Sequence, residues 1–323
     1  MKRLFAAALV IVASAPCNTV AAQTQITRPI RFIVPYVPGG GTDTLSRLLG
    51  PFISDEFGQQ VVIDNRAGGS STIGTLIVAR AAPDGHTVGM IDAAFVVNPS
   101  LLGKLPYDTL KDFTPAVLVA TAPLVLVVHP AVAAKSVREL VALAKSEPGK
   151  LNFGSAGNGT AVHLAGEQLR AVGGVDIRHI PYKGAGQSLT ELLGGQITMV
   201  FATQSGIRPH VASGRLRALA ITSPKRTQAM PDVMTFAEAG YAAIDAVTIN
   251  GILAPANTPK DYVQRVNKVV NGALKKPEMQ SKLIDLGFEV AGGTPEEFAT
   301  WIRTEIVKWA KVVKDSGARA EGL

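Results

Sequence analysis

Between Lys150 and Gln168 the chain reads KLNFGSAGNGTAVHLAGEQ. Leu151 and Phe153 give this stretch an extended start, Gly154, Gly157 and Gly159 allow a tight turn, and Asn158 or Thr160 can cap a helix running through Leu164 and Leu169. The unpaired N–H groups and positive dipole end of such a helix attract a carboxylate or phosphate without a lysine. Phe32–Arg47, FIVPYVPGGGTDTLSR, repeats the plan: an apolar run, then Pro38, Gly39, Gly40, Gly41, Thr42 and Asp43, then a helical pattern. Two such loops in one chain predict two α/β lobes facing one small acidic ligand. A carboxylate aimed at that ligand would repel it, so Asp43 is expected to stiffen its loop from the first helical turn.

Working outward, short apolar runs at Ile30–Pro35, Val61–Asp64 and Thr87–Ile91 alternate with helical patterns, as in a parallel sheet with crossover helices. The first helix is expected over Thr42–Phe57, with Leu45, Leu48, Leu49 and Phe52 on its apolar face. Asn65–Ser71, NRAGGSS, is a third glycine-rich loop, and its helix continues through Ile73, Leu76 and Ile77. Ala82–His86 reads as a turn with His86 at the surface. Leu124–Val128 is a strongly apolar strand and the expected first crossing between lobes. A helix at Val137–Lys145, a strand near Ile177–Ile180, a helix ended by Gly194-Gly195, a strand at Ile197–Phe201 and a helix–strand unit to Ile221 follow. The second crossing is expected near Val247–Ala254. Pro259–Leu274 and Pro277–Leu286 read as amphipathic helices. A last helix begins at the Thr294-Pro295-Glu296-Glu297 capping pattern and carries Phe298, Trp301, Ile302, Ile306 and Trp309 toward a core. The expected division is residues 23–124 plus 251–323 in one lobe and 125–250 in the other.

The 323 residues are 47% hydrophobic, enough for about two domains of ordinary size. Met1-Lys2-Arg3, the apolar run Leu4–Ala15 and Val20-Ala21-Ala22 have the layout of a secretory leader cleaved after Ala22, which predicts a periplasmic protein. The only cysteine, Cys17, lies in that leader, so disulfides and thiol chemistry are not expected of the mature chain. The net charge of +7, reduced by two when Lys2 and Arg3 leave, favours small anions; with 6% aromatics and scattered basic residues, nucleic acid is not an expected partner. Ser155 lacks the glycine two residues earlier that a nucleophile elbow needs, and Val162 stands where a dinucleotide loop has its third glycine. His86, His129, His163, His179 and His210 have no metal-ligand spacing, so no metal, cofactor or catalytic residue is expected. His163, one turn into its helix, either faces the ligand or packs.

The order of short motifs resembles the Bug family, the extracytoplasmic solute receptors of tripartite tricarboxylate transporters. Its matching pieces are Tyr36-Val37-Pro38-Gly39-Gly40-Gly41-Thr42-Asp43 with Arg47, Asp64-Asn65-Arg66-Ala67-Gly68-Gly69, Ala82-Pro83-Asp84-Gly85-His86-Thr87, Leu105-Pro106-Tyr107-Asp108, and Lys111-Asp112-Phe113. Gly154-Ser155-Ala156-Gly157-Asn158-Gly159-Thr160 with His163, Pro181-Tyr182-Lys183-Gly184, Glu238-Ala239-Gly240, and Ala254-Pro255 with Thr258-Pro259 complete the series. The resemblance implies a type II periplasmic-binding-protein fold, with two α/β lobes joined by crossing hinge strands and a small carboxylate in the cleft. The ligand would be a dicarboxylate or tricarboxylate, an acidic amino acid or an aromatic carboxylate. It implies ligand contacts from Tyr36, Pro38, Gly39, Gly40, Gly41, Thr42, Asp43, Ser71 and Ala93 on one lobe. The other lobe would contribute Ser155, Ala156, Gly157, Asn158, Gly159, Thr160, His163, Tyr182, Ala202 and Thr203. The implied partners are the membrane subunits of the transporter, with the receptor itself a monomer that closes on its ligand. Three departures concern the pocket. Ala202 stands where relatives often carry aspartate, Ile249-Asn250 where an aromatic is common, and Asp92-Ala93-Ala94 where a hydroxyl-rich turn is frequent; together they suggest a ligand that is larger, less polar or without an amino group. Asp92 is expected to point away from the anion. Two alternatives stand beside this reading: a ligand sensor for a membrane signalling partner, and an exported hydrolase or isomerase using Ser155 or His163.

Overall fold

The structure, a computed structural model, describes residues 25–182 and 184–316. The leader, Cys17 and the cleavage point after Ala22 lie outside the described residues, as does Lys183. The chain opens β1 (Ile30–Val34), α1 (Gly41–Phe57), β2 (Val61–Asn65), α2 (Thr72–Ala79), β3 (Thr87–Ile91) and α3 (Ala94–Leu101). This is the expected alternation: β1 pairs in parallel with both β2 and β3. On α1, Leu45, Leu49 and Ile53 are buried against the sheet. α2 instead buries Gly74, Thr75 and Val78, leaving Ile73 half exposed.

β4 (Phe113–Val128) is far longer than the expected Leu124–Val128. Its sequence, FTPAVLVATAPLVLVV, is buried almost throughout, as a strand covered on both faces must be. Pro115 and Pro123 cannot donate to a ladder, and both stand at irregularities: the register with β9 shifts after Pro115, and Pro123 is the last residue paired with it. Beyond Pro123 the same strand enters a second sheet. There it is flanked by β7 (Met199–Thr203) and β8 (Arg217–Ile221), both antiparallel.

The intervening chain supplies α4 (Val137–Ser146), β5 (Asn152–Ser155), α5 (Ala161–Gly173), β6 (Arg178–Pro181), α6 (Ala185–Leu193) and, between β7 and β8, α7 (Gln204–Ala212). β5 runs parallel to both β6 and β7. β9 (Val247–Pro255) returns to the first sheet between β3 and β4, antiparallel to both. α8 (Lys260–Leu274), α9 (Pro277–Asp285), β10 (Glu289–Gly292) and α10 (Pro295–Ser316) complete the chain, with β10 on the free edge of β4. α10 starts at the expected capping box: Thr294 N–H donates to Glu297 Oε2 (2.7 Å) and Glu297 N–H to Thr294 Oγ1 (3.1 Å). The path β2-β1-β3-β9-β4-β7-β5-β6 thus curls into two α/β lobes through the shared strand β4.

Three apolar clusters fill the fold. One lies between the first sheet and α1 and α8, around Phe32, Leu49 and Tyr262; one lies under α6 and α7, around Val127, Leu192 and Ile207. The largest is continuous across both sheets, from Phe95, Phe113 and Leu253 through Phe298 and Trp309 to Phe153, Leu164 and Phe201. α10 supplies its bridge, packing on α3, β4 and α5.

His86 corrects the reading as a surface residue. It is 8% exposed, its backbone N–H donates to Asp84 Oδ1 (3.0 Å), and its Nε2 accepts from Thr27 N–H (3.2 Å). A turn histidine becomes interior here because the chain before β1 folds over it.

Gly251 on β9 faces Phe298, whose ring carbon Cζ stands 2.2 Å from where a Cβ would be, and Phe298 is itself buried. Gly251→Ala should therefore lower stability by about 1–3 kcal/mol, the usual cost of overpacking, read as a lower urea midpoint at unchanged slope.

Candidate functional site

The parallel strands β1–β3 run along β4 and β5–β7 run against it, so the carboxyl ends of the two sets face each other near the middle of β4, and carboxyl ends are where open α/β sheets place their ligands. After β1, Tyr36 is half-buried and Pro38, Gly39, Gly40 and Gly41 are exposed. Gly39 has φ +92°, which a side chain would strain. Asp43, in the first turn of α1, is 2% exposed and stiffens this loop as expected. Its Oδ2 accepts from Gly39 N–H and Arg47 Nε (both 2.9 Å), and its Oδ1 accepts from Asn65 Nδ2 (2.9 Å). Burial raises the Asp43 carboxyl, but the donors Arg47, Gly39 and Asn65 outweigh it and hold the group below the usual carboxylate range. Asn65, at the end of β2, also donates to the Tyr36 carbonyl (2.9 Å). No side chain caps α1 at Gly40, so its first-turn N–H groups have no capping acceptor. Thr42 is half-buried in that turn.

Ser71 and Ala93 are buried at the starts of α2 and α3. Ser70 and Ser71 both hold left-handed backbone, φ 51° and 71°, a strain that clusters at ligand sites. The Ser70 carbonyl is fixed by Asn98 Nδ2 (2.8 Å). Asp92, directly after β3, accepts from the Tyr36 hydroxyl at Oδ2 (2.5 Å) and from Ala94 N–H at Oδ1 (3.1 Å). Burial pushes the Asp92 carboxyl up to about 6 against those two donors, and burial together with Asp92 pushes the Tyr36 hydroxyl well above its ordinary value.

On the second sheet the expected loop follows β5. Ser155 is buried, Ala156, Gly157, Asn158 and Thr160 are half-buried, and Gly159 is buried. Thr160 caps α5 through its Oγ1, accepting from His163 N–H (3.4 Å). The expectation that this loop leaves its N–H groups open needs correction at two positions. Gly157 N–H donates to Ser155 Oγ (3.1 Å) and Gly159 N–H to His163 Nδ1 (3.1 Å). Local side chains compete for donors that the glycine pattern alone leaves unassigned. His163 is 2% exposed and its ring stacks on His179, centroids 4.0 Å apart. Tyr182 joins the loop through its N–H to the Ser155 carbonyl (3.1 Å). Ala202 and Thr203, half-buried at the end of β7, lead into α7, which also lacks a capping side chain.

The lobes also touch directly at two places. A Cβ on Gly159 would stand 2.5 Å from Leu101 Cδ2 of α3, and one on Gly287 would stand 3.1 Å from Ser205 N of α7.

A family profile described as "Tripartite tricarboxylate transporter family receptor" matches residues 45–318. The chain belongs to this receptor family. Among relatives, protein BugT of Bordetella pertussis is 36% identical over 322 residues, 99% of either chain. Among solved structures, the Rhodopseudomonas palustris protein Rpa4515 with adipate is 32% identical at TM-score 0.82, covering 90% of this chain and 98% of its own. MatC of the same organism, with bound malate, is 31% identical at TM-score 0.79, covering 88% and 99%. The tripartite tricarboxylate transporter receptors are periplasmic solute-binding proteins of the two-lobe fold and not an enzyme family.

Among the described residues, the contact between Ser155 and His179 is a packing feature. Ser155 Oγ lies 2.6 Å from His179 Nε2, but the serine is wholly buried and its hydroxyl is also within reach of the Gly157 carbonyl (3.2 Å). Asn65, Asp92 and His179 stand beside the expected site without having been counted in it. For Asn65 the signal was present in Asp64-Asn65-Arg66, since an amide after a strand end can hold a neighbouring loop.

Burial, then the nearby His163 and Arg170, push His179 down to about 3. Between about pH 6.5 and 3 the unfolded chain takes up a proton that the folded chain refuses, so this contribution to stability is complete above 6.5 and is lost as pH falls toward 3. In His179→Gln, which keeps a partner for Ser155, the drop in melting temperature from pH 7 to 4.5 should be smaller than in the parent chain.

Proposed function

We propose that this chain is a periplasmic receptor that closes on a small organic carboxylate and presents it to the membrane subunits of a tripartite tricarboxylate-type transporter. The observation that carries the reading is the start of α1. A glycine loop is pinned by Asp43, Asn65 and Arg47, and the helix behind it has no capping side chain. Such a terminus offers oriented N–H groups and a positive dipole end to an anion. Adipate and malate in the two related receptors are carboxylates of the proposed size.

The ligand shell in this reading consists of Tyr36, Pro38, Gly39, Gly40, Gly41, Thr42, Asp43, Ser71 and Ala93 from one lobe. Ser155, Ala156, Gly157, Asn158, Gly159, Thr160, His163, Tyr182, Ala202 and Thr203 come from the other. Asp43 and His163 act within it by shaping their loops, because their polar atoms are already bonded there. The lobes divide at 124/125 and 250/251, and the first boundary suits the change of partners along β4 after Pro123. The mature receptor begins at Gln23 and is a monomer.

A thermal-shift screen tests this directly, using protein from Gln23 refolded to remove co-purified ligand. A rise in melting temperature with one class of carboxylate, and none with the corresponding amide, is expected. A flat response to dicarboxylates, tricarboxylates, acidic amino acids and aromatic carboxylates would overturn carboxylate capture. Gly40→Pro removes one loop N–H at a position whose φ of −77° suits proline. It should weaken binding of the selected carboxylate roughly tenfold or more, since a hydrogen bond to a charged group contributes about 1.5–3 kcal/mol.

A further inference from the structure

Asp92 has an unusual position for a carboxylate in an anion receptor. It follows β3 directly, at the same strand edge as the glycine loop after β1, and stays partly exposed while its oxygens hold the Tyr36 hydroxyl and the Ala94 N–H. The groups that stabilise its charge are hydrogen-bond donors, none of them a cation. Arg47, the nearest basic residue of the glycine-loop network, is committed to Asp43 and Asn65.

A second acceptor lies level with it. The antiparallel register Gly89↔Leu253, Met90↔Ile252, Ile91↔Gly251 ends one residue short of Asp92, and continuing it by that residue sets Asn250 of β9 level with Asp92. Asn250 is 3% exposed, and no donor among the described residues reaches its Oδ1. Buried acceptors are nearly always paired with a protein group or an ordered water, so this oxygen has capacity for a donor that the described residues do not supply. A carboxylate and an amide oxygen at one wall would repel an anionic group placed there and would satisfy an O–H or N–H group.

We infer that Asp92 and Asn250 form the end of the cleft that reads a hydrogen-bond donor, so that the preferred ligand carries a hydroxyl, amide or ammonium group in addition to the carboxylate held at α1. This assignment rests on the carboxylate-receptor reading above and deepens it. It differs from the expectation, drawn from Ala202, Ile249-Asn250 and Asp92-Ala93-Ala94 together, of a ligand that is larger, less polar or without an amino group. The Tyr36 hydroxyl and the Ala94 N–H, by donating to Asp92, fix the orientation of its carboxylate.

The test is titration calorimetry at pH 7.5 on protein from Gln23 with two matched series. The first is butanoate, 4-hydroxybutanoate, 4-aminobutanoate, succinamate and succinate; the second is the corresponding six-carbon set ending in adipate. The donor-ended members should bind at least tenfold more tightly than the methyl-ended and dicarboxylate members of the same length. Asp92→Asn, which presents an amide donor in nearly the same shape, should erase that preference and improve the dicarboxylate. Asn250→Leu should reduce the preference without improving the dicarboxylate. Equal affinities along both series, tighter binding of the dicarboxylates by the parent chain, or a donor preference unchanged in Asp92→Asn would overturn the role of Asp92 while leaving carboxylate capture intact. Failure of every compound to bind the parent chain, together with the flat screen described above, would remove the receptor reading itself. The parent series decides the matter even if a variant fails to fold.

Discussion

A strand buried on both faces and both edges must find a hydrogen-bond partner for nearly every N–H and C=O along its length, and β4 carries that requirement through sixteen residues. Most of the architecture follows from how it is met. β9 and β10 cover the two edges of its first part, and β7 and β8 cover those of its second. The two sheets are therefore joined inside a single strand, and Pro123 marks the change of partners because it has no N–H to leave unpaired. Neither lobe has a complete sheet without β4, and a substitution that disturbs its pairing acts on both.

The chemistry at the strand ends is governed by where charge is neutralised and where it is not. Asp43 is buried with three donors from three segments, an arrangement that fixes a glycine-rich loop whose backbone would otherwise sample many conformations. His179 is half-buried, and burial with the neighbouring His163 and Arg170 keeps it neutral, so it serves as a flat surface for His163 and Phe153. Asp92 is the exception, a carboxylate held by neutral donors directly after β3. Asp43 is buried while His179 and Asp92 keep some exposure, and it is their partners that set the charge each one carries.

Much of this was legible in the chain itself. The capping pattern at Thr294, the cap at Thr160, the glycine loops and the first three parallel strands all rest on interactions within a few residues, which sequence spacing encodes directly. What escaped was decided at long range. The first half of β4 was hidden because Pro115 and Pro123 interrupt a strand pattern, and what holds it extended is pairing with β9, far away in sequence, against which β4 itself bulges after Pro115 and again after Leu118. β10 is short and largely exposed, and only the edge of β4 makes it a strand. α3 contains Pro99 and the β-branched pair Val96 and Val97, poor local helix formers that are held by burial. The inward turn of Gly157 and Gly159 depends on which side chain captures each N–H, and the partner of Asp92 is a tyrosine 56 residues earlier in the chain.

The return of β9 to a place between β3 and β4 also sets the order in which the molecule can assemble. The strands made first, β1 to β3, belong to a sheet whose middle is supplied only after the whole second lobe has been synthesised, and α10, which closes the largest core, comes last of all. Until then the edge of β3 presents unpaired backbone beside apolar side chains, the condition under which chains stick to one another. The lobe that begins the chain is thus the last to be finished. Its folding is slow by topology, and whatever attends the nascent protein has to shield that edge until Gly251–Leu253 arrive to cover it.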